Sequence, residues 1–305
     1  MKTEHIFGPV PSRRLGRSLG IDLIPSKTCT YDCIYCQVGR TTEKTIERKI
    51  WISTDEIIAE LKGKLITKPD YITLSGSGEP TLYSDCGLLI EKIKQITDIP
   101  VAVITNGSLL FMPQVREDIK NADVVIPSLD AGDEETFRKI NRPCPEIVFD
   151  KMLQGLIDFR KEFKGKYWLE VFLIAGINDS DEQVDKIAQC IEKIRPDKVQ
   201  LNTVTRPPAE NVNAISHQRL AQIAKRICKN AEVIADFKSD DKAGDFKVKE
   251  DDIVEMLKRR PCSSDDIAAG LKISKIELLK HTENLINSGR IETVRQNDII
   301  YYKVV

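Results

Sequence analysis

The chain has 305 residues, 41% hydrophobic and 30% charged, with a formal net charge of −1. That is enough to bury a core in one large and one small domain, and it gives no global electrostatic case for nucleic acid or a membrane surface. No run approaches the roughly 18 apolar residues of a membrane span, and Met1-Lys2-Thr3-Glu4-His5 leads into no signal-like core, so the expected compartment is the cytoplasm with no membrane partner.

In chain order, residues 1–50 carry nine Lys/Arg against five Asp/Glu. The excess centres on Arg13, Arg14 and Arg17, and reads equally as a solvated arm or an anion-binding lip. From about residue 19 to 235, short apolar runs alternate with helix-period segments. Strands are predicted at 20–24, 71–74, 101–104, 124–126, 169–174 and 199–201. They are brief and apolar, as expected of parallel strands covered on both faces. Ser53 with Glu56, and Ser180 with Gln183, are capping-box patterns ahead of two of the helices between them. The fold class is therefore α/β: residues 1–236 form a (β/α) barrel of about six units, partly or fully closed, with its chemistry at the C-terminal strand ends. Residues 237–249 are polar and aperiodic and read as a linker.

Residues 250–305 are expected to form a small domain of three helices, around 253–257, 267–271 and 276–286. Ser263 and Ser274 start the second and third, and Gly289 ends the last. Strands at 290–294 and 299–303, joined by a turn at Asn297-Asp298, complete a winged-helix pattern. This region holds nine Lys/Arg and ten Asp/Glu, which argues against a reader of duplex DNA. Docking of a protein, or presentation of a substrate, fits that charge at least as well.

Eight cysteines without an export signal argue against a disulfide framework. Cys86, Cys144, Cys190, Cys228 and Cys262 are scattered and read as small buried hydrophobes. Cys144 sits in Arg142-Pro-Cys-Pro145, a loop pattern that also makes it a candidate on the substrate side. Cys29-Thr-Tyr-Asp-Cys33-Ile-Tyr-Cys36 is different: three thiols in C-x3-C-x2-C spacing directly after the first strand. A structural zinc site asks for four ligands, and the nearest other candidates, His5 and Cys86, are far away in sequence. Three thiolates suit one [4Fe–4S] cluster with one iron lacking a protein ligand. Zinc completed by a distant side chain is the alternative.

This spacing, with Tyr35 before the last cysteine, resembles the radical S-adenosylmethionine (SAM) superfamily. Ser75-Gly-Ser77-Gly78-Glu79-Pro80, after the second strand, resembles that family's Gly-Gly-Glu segment, with Ser77 where the first glycine is commonest. The resemblance implies that this backbone and Glu79 receive the methionine ammonium of SAM. It further implies that Asn106 after strand three, and Ser128 and Asp130 after strand four, hold ribose and carboxylate, and that Ile174 packs against adenine. By residue type alone these polar positions read equally as turn formers and helix caps. The implied activity is reductive cleavage of SAM to a 5′-deoxyadenosyl radical, with flavodoxin or ferredoxin as reductant.

The stretches Gly8-Pro-Val-Pro-Ser-Arg13-Arg14-Leu-Gly16 and Asn202-Thr-Val-Thr-Arg206-Pro-Pro208 resemble a subgroup related to the wyosine-forming tRNA enzymes. Those carry a second cluster on cysteines upstream of the loop; here no cysteine precedes Cys29. Arg206, Asn202, Arg13 and Arg14 are candidates to line the substrate mouth, Arg206 reading equally as a structural rim residue. Three functions follow in order: a radical enzyme modifying a tRNA or other RNA base; one acting on a small metabolite, peptide or protein; and an iron–sulfur sensor signalling through its winged helix.

Overall fold

The computed structural model describes residues 5–12, 14–234, 250–271, 273–296 and 299–305. Arg13, the linker and the Asn297-Asp298 turn lie outside the described residues. The strands of the first part are β1 (Ile6–Ser12), β2 (Gly16–Ile21), the short β3 (Thr28–Cys29) and β4 (Glu43–Lys44), β5 (Tyr71–Leu74), β6 (Val101–Thr105), β7 (Val124–Pro127), β8 (Lys166–Leu173), β9 (Lys198–Thr203) and β10 (Ala231–Val233). Between them run α1 (Thr54–Lys64), α2 (Cys86–Ile96), α3 (Pro113–Ile119), α4 (Glu134–Asn141), α5 (Phe149–Glu162), α6 (Asp181–Ile194) and α7 (His217–Ile227).

Eight strands form one sheet in the order β1-β2-β5-β6-β7-β8-β9-β10. Pairing from β2 to β10 is parallel throughout, and β1 runs antiparallel at one edge. The six predicted strands are β2 and β5 to β9. Sequential strands joined by helices stand next to one another, as right-handed crossovers require. The edges β1 and β10 do not pair among the described residues, so the barrel is the partial form. Predicted helix starts hold at Ser53, whose side chain accepts from the Asp55 amide, and at Ser180, which accepts from Gln183.

The strand faces differ from expectation. Leu19, Ile21, Ile72, Leu74, Val101 and Val103 pack outward against the helices in the main apolar core. The inward face carries Leu15, Ala102, Val124 and Ile126 at one end. Elsewhere it carries the buried polar Ser18, Thr73, Gln200 and Asn202. The strands thus alternate with the period of 2 that puts successive side chains on opposite faces. They read as continuous apolar runs because they are short and the predicted windows missed β8 and β9 at their polar starts.

The C-terminal part comprises α8 (Glu250–Arg259), β11 (Cys262–Ser263), α9 (Ser264–Leu271), α10 (Lys275–Asn287), β12 (Ile291–Gln296) and β13 (Ile299–Val304), with antiparallel sheet order β11-β13-β12. Ser263 and Ser274 cap α9 and α10, and Gly289 follows α10 with φ +68°. Its core of Ile253, Leu257, Ile267, Leu278 and Leu285 is continuous with Phe7 and Val10 of β1. The Tyr301 hydroxyl donates to the Thr205 carbonyl at 2.6 Å, and Arg206 pairs with Asp266 at 2.9 Å. Thr205 and Arg206 follow β9, so this unit covers part of the barrel's C-terminal end.

Candidate cluster and cofactor site

The cysteine loop leaves β2 and is closed at its base by β3 pairing with β4, which holds Cys29 against Lys44. Its other side is pinned to the end of α4: the Asp32 and Ile34 amides donate to the Asn141 and Ile140 carbonyls at 3.0 Å, and the Cys144 amide donates to Thr30 at 2.9 Å. Arg40 pairs with Asp32 at 2.9 Å and locks the loop's outer turn. Cys29, Cys33 and Cys36 are half-buried and free.

The three thiols stand among amides. The Asn106 side-chain amide donates to Cys29 Sγ at 3.6 Å, and that of Asn141 to Cys33 Sγ at 3.5 Å. Backbone amides of Thr30 and Tyr31 face Cys29, and those of Val38 and Gly39 face Cys36. Burial nonetheless pushes every thiol up, Cys29 to about 12 with Glu79 adding to the rise, and Cys33 further raised by Asp130. Left to themselves these cysteines stay protonated. A bound metal centre converts such thiols to thiolates, and the surrounding N–H groups then stabilise the sulfur charge.

A [4Fe–4S] cluster fits the donor set. The ligands are all sulfur on one loop. The Tyr31 hydroxyl, in a side chain 2% exposed and close to Cys29, Cys33, Glu79 and Asp130, has no hydrogen-bond partner among the described residues, so a buried donor is left for a bound group. Among the described residues no three His, Cys, Asp or Glu side chains converge as on a single metal ion; a cubane, whose cysteines each bind a different iron, does not ask that of them.

Two buried carboxylates organise the strand ends around the loop. Glu79 accepts from the Thr81 amide and hydroxyl (3.1 and 2.6 Å), the Thr105 hydroxyl (2.6 Å) and the Asn106 amide (2.7 Å), tying the ends of β5 and β6 together. Burial raises its pKa against those bonds. With so many donors on it, Glu79 braces the ends of the two strands. Asp130 accepts from the Tyr35 hydroxyl (2.5 Å), the Asn141 amide (2.7 Å) and the Phe172 amide (3.0 Å), and burial lifts it to about 6. The Tyr35 ring lies flat on Phe172 with centroids 3.9 Å apart.

The glycines of Ser75–Glu79 are there for space. A Cβ on Gly78 would lie 1.9 Å from the Thr28 carbonyl oxygen, and one on Gly76 would lie 2.1 Å from Asp22 Oδ1. The segment is therefore pressed against the cysteine loop on one side and Asp22 on the other. Ser77, in the position where a glycine was expected, donates its amide and hydroxyl to Asp22 at 3.2 and 2.6 Å.

Of the other predicted positions, Asn106 and Ser128 are half-buried at the strand ends, and Ile174 is fully buried beside Ile34, Phe172 and Tyr35. Cys144 is 3% exposed within the main core, in keeping with its reading as a small buried hydrophobe, and its amide donates to the Thr30 carbonyl. Asn202 donates to Glu170 at 2.8 Å, and Arg14 pairs with Glu170 at 2.8 Å inside the barrel. Arg206 is committed to Asp266 and does not stand free at the rim. Sequence reasoning missed Asn141, Tyr31 and Asp22. Asn141 carries no local signal, since only the end of α4 brings it to Cys33.

A family model described as Radical SAM superfamily matches residues 23–191. The chain is 47% identical over 310 residues to a Brachyspira hyodysenteriae protein named GTPase Obg, covering 100% of this chain and 46% of that one. It is also 47% identical over 208 residues to the UPF0026 protein of Methanocaldococcus jannaschii, 67% of this chain and 64% of that one. The chain thus spans about half to two thirds of these relatives' length. A solved structure of TYW1 with a lysine–pyruvate adduct superposes with TM-score 0.51 and 23% identity, over 74% of this chain and 76% of that one, and shows the shared fold. With the cysteine loop, the Gly-Glu segment and the partial barrel in place, the chain belongs to the radical SAM superfamily, whose cofactors are a [4Fe–4S] cluster and SAM.

Proposed function

We propose that Cys29, Cys33 and Cys36 hold the cluster, leaving one iron to SAM, and that the enzyme acts on a small metabolite reached beneath the C-terminal unit. The observation that carries the substrate reading is the seating of α8 and α9 over the strand ends, through Arg206–Asp266 and Arg259–Asp22 at 3.5 Å, which leaves little room for a macromolecule beside Gly76 and Ser75. When bound, the cofactor pair supplies one-electron cleavage of SAM into methionine and a hydrogen-abstracting 5′-deoxyadenosyl radical. The chain's own residues bind and shield. The backbone of Ser77 and Gly78 receives the methionine ammonium; Asn106 and Ser128 meet ribose and carboxylate; Ile174 backs the adenine. Asn106 and Asn141 place N–H groups on the sulfur charge, Tyr31 keeps a buried hydroxyl for the bound group, and the covering unit keeps water out. Residues 250–305 act as a winged-helix-like domain that presents or encloses substrate, and a flavodoxin or ferredoxin delivers the electron.

An RNA base is the second reading. It draws on the resemblance to wyosine enzymes and the fold likeness to TYW1. Against it, Arg17 is spent on the Thr67 and Lys68 carbonyls at 3.1 and 3.2 Å, and Arg14 is turned into the barrel beside Glu170, so neither is offered to the backbone of an RNA.

Anaerobic reconstitution followed by dithionite and SAM tests the chemistry: 5′-deoxyadenosine forms, and Ala at Cys29, Cys33 or Cys36 abolishes it together with most of the bound iron. An iron–sulfur sensor would form none even with cell extract present. Comparative mass spectrometry of metabolites and tRNA nucleosides, with and without the gene, tests the substrate. A lost nucleoside with unchanged metabolites would reject the small-molecule reading.

A further inference from the structure

Between the inner face of the barrel and the C-terminal unit lies a chamber of about 180 Å³. Its walls include Arg14 and Arg206 from the barrel part and Arg259 and Arg260 from the end of α8. Its floor is the inward face of β2 and β5, where the Ser18 and Thr73 hydroxyls are bonded to each other. We infer that this chamber binds a small organic oxyanion, a carboxylate or a phosphate monoester, as the substrate of the radical reaction. The inference rests on the small-metabolite reading above and names its chemical class.

The donors call for an acceptor. Arg206 is 7% exposed; one of its terminal nitrogens is taken by Asp266, and its Nε is buried with no partner. Arg14 gives one terminal nitrogen to Glu170, and its other, Nη1, is equally buried and unpartnered. Buried guanidinium N–H groups without acceptors are expensive and rare, and here both arginines that carry them line the same chamber from two loops. Among the described residues lining the chamber Asp266 is the one acid, and it already accepts from Arg206 and from the Ser263 amide and hydroxyl. Burial and the neighbouring Arg206 also disfavour the charge on Arg260, a repulsion that an anion between them would relieve.

Size and position narrow the ligand. The volume is below the ~300 Å³ at which pockets for drug-sized ligands begin, so a nucleoside is too large. Ile104 and Met256 supply an apolar patch for a short carbon chain. Ser75 and Gly76 belong to both this wall and the segment that continues into Ser77-Gly78-Glu79, which sets the chamber beside the cofactor residues. Because arginines come from both units, the ligand would also clasp the C-terminal unit to the barrel.

Titration calorimetry and thermal melting of the reconstituted, unreduced enzyme with pyruvate, ethyl phosphate and the neutral methyl pyruvate test this. One or both anions should bind with Kd below about 1 mM, raise the melting temperature, and leave the ester without effect. The anion that binds decides between carboxylate and phosphate. Arg14→Gln and Arg206→Gln should each weaken binding roughly tenfold or more. Arg14→Gln leaves the Arg206–Asp266 bond in place, so its result stands even if Arg206→Gln loosens the C-terminal unit. No binding by either anion, or equal affinity in wild type and Arg14→Gln, overturns the assignment. 5′-Deoxyadenosine formation is assayed on the same preparation: its failure removes the radical reading, whereas anion binding without reductant reports on the chamber alone.

Discussion

At the scale of residues, the site is a balance between sulfur charge and the dipoles aimed at it. Asn141 Nδ2 reaches both Cys33 Sγ and Asp130. An N–H group on a ligating sulfur favours the more negative, reduced cluster. Asn141→Ala should therefore make the cluster harder to reduce, by on the order of tens of millivolts, read by spectroelectrochemical titration of the reconstituted protein. An unchanged or raised potential would mean that Asn141 only packs. The cysteines were legible because all the information is in the spacing of eight residues on one loop. Asn141 was not, because it meets Cys33 only after α4 has packed on the loop, and an asparagine at the end of a helix is otherwise an ordinary cap.

At the scale of elements, the loops after β5 and β6 and the cysteine loop are built as one layer. Gly78→Ala would drive its Cβ into the Thr28 carbonyl, so the loop or the segment must move. We expect iron content after reconstitution to fall severalfold with the melting temperature lowered by only a few degrees, as for about 1 kcal/mol; full iron loading with normal SAM cleavage would show that the fit is loose. The capping of α4 gives a pH prediction. Burial raises the Asp133 pKa, but the Thr136 amide, Lys186, the Thr136 hydroxyl and Gln183 outweigh it and hold it at about 2. Since the folded value lies below the unfolded one, Asp133 stabilises above about pH 4 and loses that contribution as pH falls through about 2. Asn is also a good cap, so Asp133→Asn isolates the charge. Denaturant unfolding should show the variant about 0.5–1 kcal/mol weaker at pH 7 and the gap narrowing below pH 4.

At the scale of the whole molecule, the two parts are joined by a shared core and a few buried polar bonds. Asp266→Ala would leave Arg206 charged and uncompensated, and should cost about 3 kcal/mol in chemical denaturation; the double change of Arg206 and Asp266 to Leu should recover much of it. Removing residues 250–305 would bare Phe7 and Val10, which pack into the C-terminal core. That truncation should bind hydrophobic dyes and aggregate, while a variant as soluble and as stable as the full chain would mean that the units are independent. The loss of apolar period over 237–249 is what suggests a boundary near 250 in the sequence. The seat of the C-terminal unit on the strand ends was not legible there, since it is made by single contacts such as Tyr301 to Thr205 that lie 96 residues apart.

The sequence by itself determined the strand–helix alternation, the helix starts at Ser53, Ser180 and Ser274, and the cluster loop, because local period, capping chemistry and ligand spacing act over a few residues and survive any tertiary arrangement. Only the tertiary structure decided that the barrel stays open, that its inner face is polar, and that Arg14 and Arg206 end as buried donors around one small chamber. Those are outcomes of which surfaces meet, and the free energy of a buried charge depends on partners that the chain brings together from far apart.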